Sequence, residues 1–111
     1  MAHWHAREVM NEVEARLRNE SIDETESPES SVAVRLLAFG CECGYRGCAA
    51  AIHMTRDEYE VVRSDGTRFA IAVNHENPEI DVVVAENSRF ATVQKWLGGA
   101  RSMANDSDPR R

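Results

Sequence analysis

Three cysteines lie within one stretch of eight residues, and their side chains are the ones in this chain best suited to chemistry. They are Cys41, Cys43 and Cys48. A structural zinc ion takes four ligands in a closed tetrahedron, and thiolates are among the ligands it prefers. A tight turn that gathers these sulfurs would supply three of the four. The spacing therefore predicts a zinc site that needs one more ligand.

Glycines stand beside the cysteines where such a turn must bend. Gly40 and Gly44 flank the first two cysteines, and Gly47 precedes the third. Glycine adopts backbone conformations that other residues avoid, so this placement favours a metal-binding turn. The alternative interpretation is three buried thiols without a metal, because free cysteine is often a small core residue. An iron–sulfur cluster ranks below zinc because it normally takes four cysteines.

The fourth ligand is predicted to be His75, and His53 is the alternative. A water molecule or an external ligand would fill the position if neither histidine reaches it. His75 follows a predicted strand, 67–73, which must run antiparallel to the predicted strand 50–54 to bring the imidazole back to the cysteines. In a parallel arrangement the histidine would lie about 15 Å away, given roughly 3.3 Å per residue. The assignment of His75 therefore depends on strand direction.

Other residues that could do chemistry carry weaker signals. His3 and His5 could bind a metal near the N-terminus, where residues are usually mobile. Glu42 and Glu76 adjoin the predicted ligands, and we expect both to be surface carboxylates. As acid–base groups beside a zinc-bound water, they would instead define a zinc-dependent enzyme. The sequence contains no glycine-rich phosphate loop and no nucleophile elbow.

The length and charge of the chain limit which binding partners and which cellular compartment are expected for the protein. The chain has 111 residues, enough for one domain, and a net charge of −6. This charge argues against free nucleic acid and anionic membrane surfaces as default partners. No apolar run approaches the roughly 18 residues of a membrane span, and residues 1–20 do not resemble a signal peptide. An odd number of cysteines without an export signal predicts a cytoplasmic protein.

Composition divides the chain into four predicted segments. They are an N-terminal helix over residues 1–20, an acidic linker over 21–31, a zinc-binding α+β domain over 32–97 and a flexible tail over 98–111. A solvated linker fits the second segment because it carries four acids and no base. A core of this size seldom supplies more than about 3–5 kcal/mol. A structural metal would then decide whether the domain folds.

The predicted domain is α+β, with a small, mostly antiparallel sheet and one internal helix. Its predicted strands are 32–39, 50–54, 67–73, 80–85 and 90–96. Thr55 and Glu58 form a capping-box signature for a helix that runs to about Arg63. Residues 86–89 are typical of a hairpin turn between the last two strands.

The N-terminal helix has one narrow apolar face. Its members are Ala6, Val9, Met10, Val13 and Leu17. A single helix of this length is marginal in water, so it must dock. We expect it to pack on its own domain. The alternatives are a homodimer, for which part of the face fits a short coiled-coil seam, and a protein partner.

The cysteine segment and the residues after it resemble a group of small actinobacterial proteins. Segments 41–48, 54–63 and 68–76 follow the pattern CECGxxxC…LTxxEYExVR…RFxVxxGHE of that group, and the likeness covers most of 6–95. Asn74 stands where a glycine is usual in the group. The resemblance implies that four residues act together: Cys41, Cys43, Cys48 and His75.

These features favour a structural-zinc protein that serves as a protein-binding regulatory or adaptor module. The partner would bind through the N-terminal helix or the sheet surface. The alternatives are a zinc-dependent enzyme with cysteine ligands and a bound water, and a thiol redox sensor in which oxidation releases the metal.

Overall fold

The structure, a computed structural model, describes residues 3–25, 35–45 and 47–110, without the side chains of residues 3–5 and 25. The predictions for residues 26–34, which cover most of the acidic linker and the start of the first predicted strand, lie outside this part of the chain. The same holds for the side chains of His3 and His5. None of the described helices is both long and apolar enough to cross a bilayer.

The described residues form three helices and five strands, which confirms the α+β prediction. In chain order they are α1 (His3–Thr25), β1 (Leu36–Gly40), β2 (Ala51–Thr55), α2 (Arg56–Val62), β3 (Arg68–Ile71), β4 (Asp81–Glu86), β5 (Ala91–Lys95) and α3 (Gly98–Asp106). The strands form two antiparallel sheets instead of one. One is the β1–β2 hairpin, and the other has the order β3–β5–β4.

The capping box predicted for α2 is present and sets where that helix begins. The amide of Glu58 donates to Oγ1 of Thr55 at 3.1 Å, and the amide of Thr55 donates to Oε1 of Glu58 at 2.8 Å. These bonds satisfy amides that the first helical turn leaves without partners. The helix buries Tyr59 and Val62 against the β1–β2 hairpin and β3.

The hydrophobic interior has two parts, one on each side of the three-stranded sheet. Alternate residues of β1 and β2 point inward, as expected for strands with one buried face. With α2 they form the first cluster: Leu37, Phe39, Ile52, Met54, Tyr59, Val62, Ala70 and Phe90. The second lies under α1 and α3 and contains Val9, Val13, Cys41, Cys43, Phe69, Ile71, Ile80, Ala91, Val93, Ala100 and Ala104. Two of the three cysteines are thus core residues.

Helix α1 packs on its own domain, but through a face that differs from the predicted one. Val9 and Val13 are buried, whereas Met10 is 42% exposed and Leu17 is 46% exposed. Most of the buried residues of α1 are polar. The polar ones are Glu12, Arg16, Asn19, Glu20 and Asp23. The apolar-face prediction was wrong for half of its large residues because the surface beneath α1 supplies charged and main-chain partners.

Those partners explain how charged side chains are buried under α1. Lys95, fully buried, forms ion pairs with Glu12 and Asp81. Arg16 donates to the carbonyls of Gly66 and Ala104, at 2.8 and 2.9 Å. Burial raises the pKa of Glu12 well above its usual value, and Lys95 opposes that shift. Glu12 and Arg16 thus each form contacts with residues far away in the chain.

The aromatic ring of Phe69 completes this buried arrangement. The guanidinium of Arg16 lies 4.5 Å from the ring centroid, and Nζ of Lys95 lies 5.0 Å from it. Both distances are within the range at which a cation is attracted by the ring face. The two cations therefore have a favourable apolar neighbour in addition to their polar partners.

Residues 98–111 were predicted to form a flexible tail, and this was wrong for the described residues up to 110. Gly98–Asp106 is helical, and Ala100 and Ala104 are fully buried. Small side chains let the helix approach α1 and β5 closely. Beyond it, Asp108 pairs with the buried Arg63, and Arg110 pairs with acids of α1 and α2. This segment has a single large apolar residue, Met103, and it is held by that residue, by the buried alanines and by these ion pairs.

Candidate metal centre

The three cysteines lie in the connection between β1 and β2. The amide of Cys41 donates to the carbonyl of Ala50 at 2.9 Å, which extends the hairpin pairing by one bond. Gly44 has φ of 76° and Gly47 has φ of 80°. Both values are in the left-handed region that favours glycine. The turn that the glycines predicted is therefore present, and it places the cysteines on both arms of one bend.

His75 reaches the cysteines from the turn after β3. Its amide donates to the carbonyl of Ala72 at 3.0 Å, and Asn74 between them has φ of 72°. Asparagine is one of the few residues besides glycine that adopt this conformation routinely. The turn directs the chain back past the cysteine segment.

The route by which His75 arrives differs from the predicted one. Strands β2 and β3 belong to different sheets, so they do not pair at all. The contact is made instead by the residues that follow β1, since the amide of Glu42 donates to the carbonyl of Ala70 at 2.9 Å. Pairing between β2 and β3 therefore plays no part, and the contact between β3 and the chain that follows β1 places His75 beside the cysteines.

Four potential ligand atoms converge at this place. They belong to Cys41, Cys43, Cys48 and His75, and all lie within 4.8 Å of one another. Nδ1 of His75 is 3.5 Å from Sγ of Cys41 and 3.7 Å from Sγ of Cys48. In a tetrahedral zinc site, bonds of about 2.3 Å to sulfur and 2.0–2.1 Å to nitrogen separate these atoms by about 3.6 Å. The two measured separations match that value, so these residues can bind a metal ion.

His53, the alternative fourth ligand, does not belong to this group. It lies on β2 between the buried residues Ile52 and Met54, and its own side chain is exposed. Successive side chains of a strand point to opposite faces. The strand therefore directs His53 to solvent.

The thiols of the two buried cysteines influence each other. Hydrogen bonding between Cys43 and Cys41 is the largest cause of both shifts: it lowers the pKa of Cys41 and raises the pKa of Cys43. The amide of Ala72 also donates to Sγ of Cys41 at 3.1 Å. A metal ion bound by these thiolates would displace the protons of the thiols.

Glu42 was predicted to be a surface carboxylate, and this was wrong. Its side chain is fully buried and accepts hydrogen bonds from Asn19 at 2.7 Å, Tyr59 at 3.0 Å and the amide of Ala70 at 2.8 Å. Burial raises the pKa of Glu42, and these donors oppose the shift. The carboxylate joins α1, α2 and β3, and the acid–base role considered for it has no support here.

Glu76, the other carboxylate next to a predicted ligand, is half-buried instead of lying on the surface. Its Oε1 atom is buried and has no hydrogen-bond partner among the described residues. Its carbonyl accepts a hydrogen bond of 3.2 Å from the hydroxyl of Tyr45, whose ring lies edge-on to His75 with centroids 6.4 Å apart. Tyr45 thus connects the cysteine turn to the histidine loop.

Helix α1 forms hydrogen bonds with both the cysteine turn and the loop that carries His75. Nδ2 of Asn11 donates to the carbonyl of Gly44 at 3.2 Å, and Nδ2 of Asn77 donates to Glu8 at 2.8 Å. Asn19 forms two hydrogen bonds of 2.8 Å with Gly40: its Nδ2 donates to the carbonyl, and its Oδ1 accepts from the amide. Sequence reasoning missed these residues because polar positions on a helix are usually solvated.

A groove of about 190 Å³ runs between α1 and the cysteine turn. Cys41 and Cys48 line it on one side, and Ala15 and Arg18 of α1 line it on the other. Two of the three cysteines therefore border an open groove.

No protein-family model matches this chain, and neither does any curated protein or any solved structure. The resemblance to small actinobacterial proteins stays a prediction based on the motifs. A functional assignment therefore depends on the geometry and the donor chemistry of the site itself.

Proposed function

We propose that this protein binds one Zn²⁺ through Cys41, Cys43, Cys48 and His75, and that the metal is structural. The observation that carries the proposal is the convergence of all four ligand atoms within 4.8 Å. The donor set supports zinc, because three thiolates and an imidazole are typical of structural zinc sites. Hard cations such as Mg²⁺ and Ca²⁺ prefer oxygen ligands, which this group lacks.

A structural role is supported by the parts of the fold that the ion would join. The cysteines belong to the β1–β2 connection, and His75 follows β3 of the other sheet. One ion would therefore link the two sheets next to the hydrogen bond between Glu42 and Ala70. In a chain of 111 residues, such a link adds stability where the core is small.

The catalytic alternative has less support. Four protein ligands leave no position for an activated water in a tetrahedral site. Glu42, one of the two acid–base candidates, uses both carboxylate oxygens for buried hydrogen bonds to Asn19, Tyr59 and Ala70. A structural ion explains the same residues without an open coordination position.

The zinc-held scaffold is, in this proposal, a regulatory or adaptor module that binds another protein in a reducing compartment such as the cytoplasm. Met10 and Leu17 support it, because both stay exposed on α1 after the helix has docked. They are seven residues apart and so lie on one side of the helix. A partner that covers them would explain why large apolar residues face solvent there.

Two measurements test the structural zinc site and the binding of a partner separately. Native mass spectrometry of untagged protein should show one zinc ion per chain, and a strong chelator should unfold the protein, as followed by circular dichroism. Full stability without the metal would contradict the structural role. For the module, cross-linking in host cells should capture a partner with the wild type and lose it with Met10→Ser/Leu17→Ser. An unchanged set of captured proteins would contradict binding through α1.

A further inference from the structure

The three sulfurs of the candidate centre are not equally accessible. Cys41 is 8% exposed and Cys43 is 2% exposed, whereas Cys48 is only half-buried. Cys41 and Cys48 both line the groove beside α1, so a small molecule that enters the groove comes next to these two residues. Cys48, on the second arm of the turn, is the more open of the pair.

Hydrogen bonds distinguish the same sulfurs. The amide of Ala72 donates to Sγ of Cys41 at 3.1 Å, and Cys43 is almost fully buried. An N–H donor draws electron density from a thiolate and makes it a weaker nucleophile. Within the described part of the chain, the contact of Cys48 Sγ is to His75, its neighbour in the same cluster. Accessibility and hydrogen bonding therefore single out the same residue.

We propose that Cys48 is the zinc-bound thiolate that reacts first with small hydroperoxides, with Cys41 as the residue that resolves the product. The inference rests on the proposed zinc site and adds an oxidative regulation of that site. Cys41 is the expected second residue because it lines the same groove and its sulfur lies within 4.8 Å of the other ligand atoms.

The chemistry balances with hydrogen peroxide as the oxidant. The thiolate of Cys48 attacks one peroxide oxygen, the S–O bond forms, the O–O bond breaks, and the departing hydroxide takes a proton to become water. The thiolate of Cys41 then attacks the sulfenic sulfur of Cys48, and a second hydroxide leaves and is protonated. Two thiolates, one peroxide and two protons give a disulfide and two waters. The disulfide would leave only Cys43 and His75 of the four candidate ligands, too few to hold a zinc ion.

The test uses the full-length, zinc-loaded protein exposed to hydrogen peroxide. Free zinc is followed with a chromogenic chelator, and dimedone traps sulfenic acid for peptide mass mapping at early times. The expected result is a first adduct on Cys48, then a Cys41–Cys48 disulfide together with zinc release, reversed by a thiol reductant and added zinc. A first adduct on Cys41 or Cys43, or zinc retained in excess peroxide, would overturn the proposal.

A variant gives a second measurement. Cys48→His keeps four ligands of types that zinc accepts but removes the exposed thiolate, so release by peroxide should slow by about tenfold or more. Release at the wild-type rate would also overturn the proposal. If this variant does not fold, the adduct map of the wild type decides. Purified protein that binds no zinc would refute the proposed function itself, whereas zinc-loaded protein that resists peroxide refutes only this inference.

Discussion

The main-chain amide of Ala72 donates a hydrogen bond of 3.1 Å to Sγ of Cys41. This bond connects the chain that follows β3 with the chain that follows β1, and it lies three residues before His75. An amide aimed at a ligand sulfur is typical of the outer shell that orients a metal's ligands. The same short stretch thus positions one candidate ligand and supplies another, which makes His75 the most informative position to change.

Replacing His75 by alanine should weaken zinc binding by more than the roughly 100-fold that the loss of an outer-shell partner can cost. The reason is that His75 supplies the only nitrogen among the four candidate ligand atoms, and its Nδ1 lies 3.5 Å from Sγ of Cys41. Competition titration against a chelator of known affinity measures the effect. His53→Ala is the matched control, because that histidine is exposed on β2 and should leave the affinity unchanged. Equal losses of zinc affinity in both variants would show that His75 is not a specific ligand.

Glu42→Gln should lower the free energy of unfolding by about 1–3 kcal/mol, the cost of leaving a buried hydrogen-bonding group without its partner. The carboxylate accepts three hydrogen bonds, and an amide nitrogen in place of one oxygen would face a donor. Denaturant titration of the zinc-loaded protein measures the change.

Zinc content should stay at the wild-type level in Glu42→Gln, because the carboxylate is not among the four ligand groups. The exposed Glu86 provides the control, and Glu86→Gln should have little effect on stability. A Glu42→Gln variant as stable as the wild type would show that the buried network contributes nothing.

Two glycines of the cysteine turn allow a matched comparison of backbone strain and steric contact. Gly44 and Gly47 have nearly the same positive φ, and alanine in this conformation costs roughly 1–2 kcal/mol. A Cβ on Gly44 would also lie 2.5 Å from Cγ of Glu12 and 2.6 Å from the carbonyl oxygen of Glu8, whereas Gly47 has nothing within 4 Å. Gly44→Ala should therefore destabilise the protein clearly more than Gly47→Ala in thermal or denaturant unfolding. Equal effects would mean that α1 does not pack on the turn.

The acidic end of α1 should make stability depend on pH. Burial, reinforced by the carboxylate of Glu60, raises the pKa of Asp23 from 3.8 to about 6, against the attraction of Arg56 and Arg110. The folded protein therefore holds a proton that the unfolded chain has lost, so this residue's contribution to stability falls as pH rises from about 4 through about 6.

Asp23→Asn tests this dependence. The free energy of unfolding of the wild type, relative to that of the variant, should decrease between pH 5 and pH 7. Both proteins carry the same metal ligands, so the pH dependence of zinc binding cancels in the difference. A difference that stays constant over this range would show that Asp23 titrates normally.

The features that could be predicted from the sequence are those that residues close together in the chain determine. The capping box of Thr55 and Glu58 marks the start of α2 in four residues, and the left-handed glycines mark the cysteine turn. A hairpin turn at 86–89 was also expected, and the amide of Asn87 donates to the carbonyl of Phe90 there. In each case neighbours in the chain carry the signal.

The rest depends on contacts between residues far apart in the chain. A lysine is expected to face solvent. Lys95 can be buried because the fold brings β5 next to two carboxylates, those of Glu12 and Asp81, which pair with it. Helix α3 likewise gives only a short apolar signal, because its inward face consists of two alanines, Ala100 and Ala104, and the partly buried Met103. Pattern reading assigns polar and small residues to solvent unless the opposing surface is known, so α3 and the polar face of α1 were missed.

The central claim is that one zinc ion is bound by three sulfurs and one imidazole nitrogen. X-ray absorption at the zinc K-edge, on untagged protein after gel filtration, tests it most directly. The account predicts one zinc per chain with three sulfurs at about 2.3 Å and one nitrogen at about 2.0–2.1 Å, and the loss of that nitrogen in His75→Ala. A first shell made of oxygen and nitrogen, or protein that retains no zinc, would contradict it.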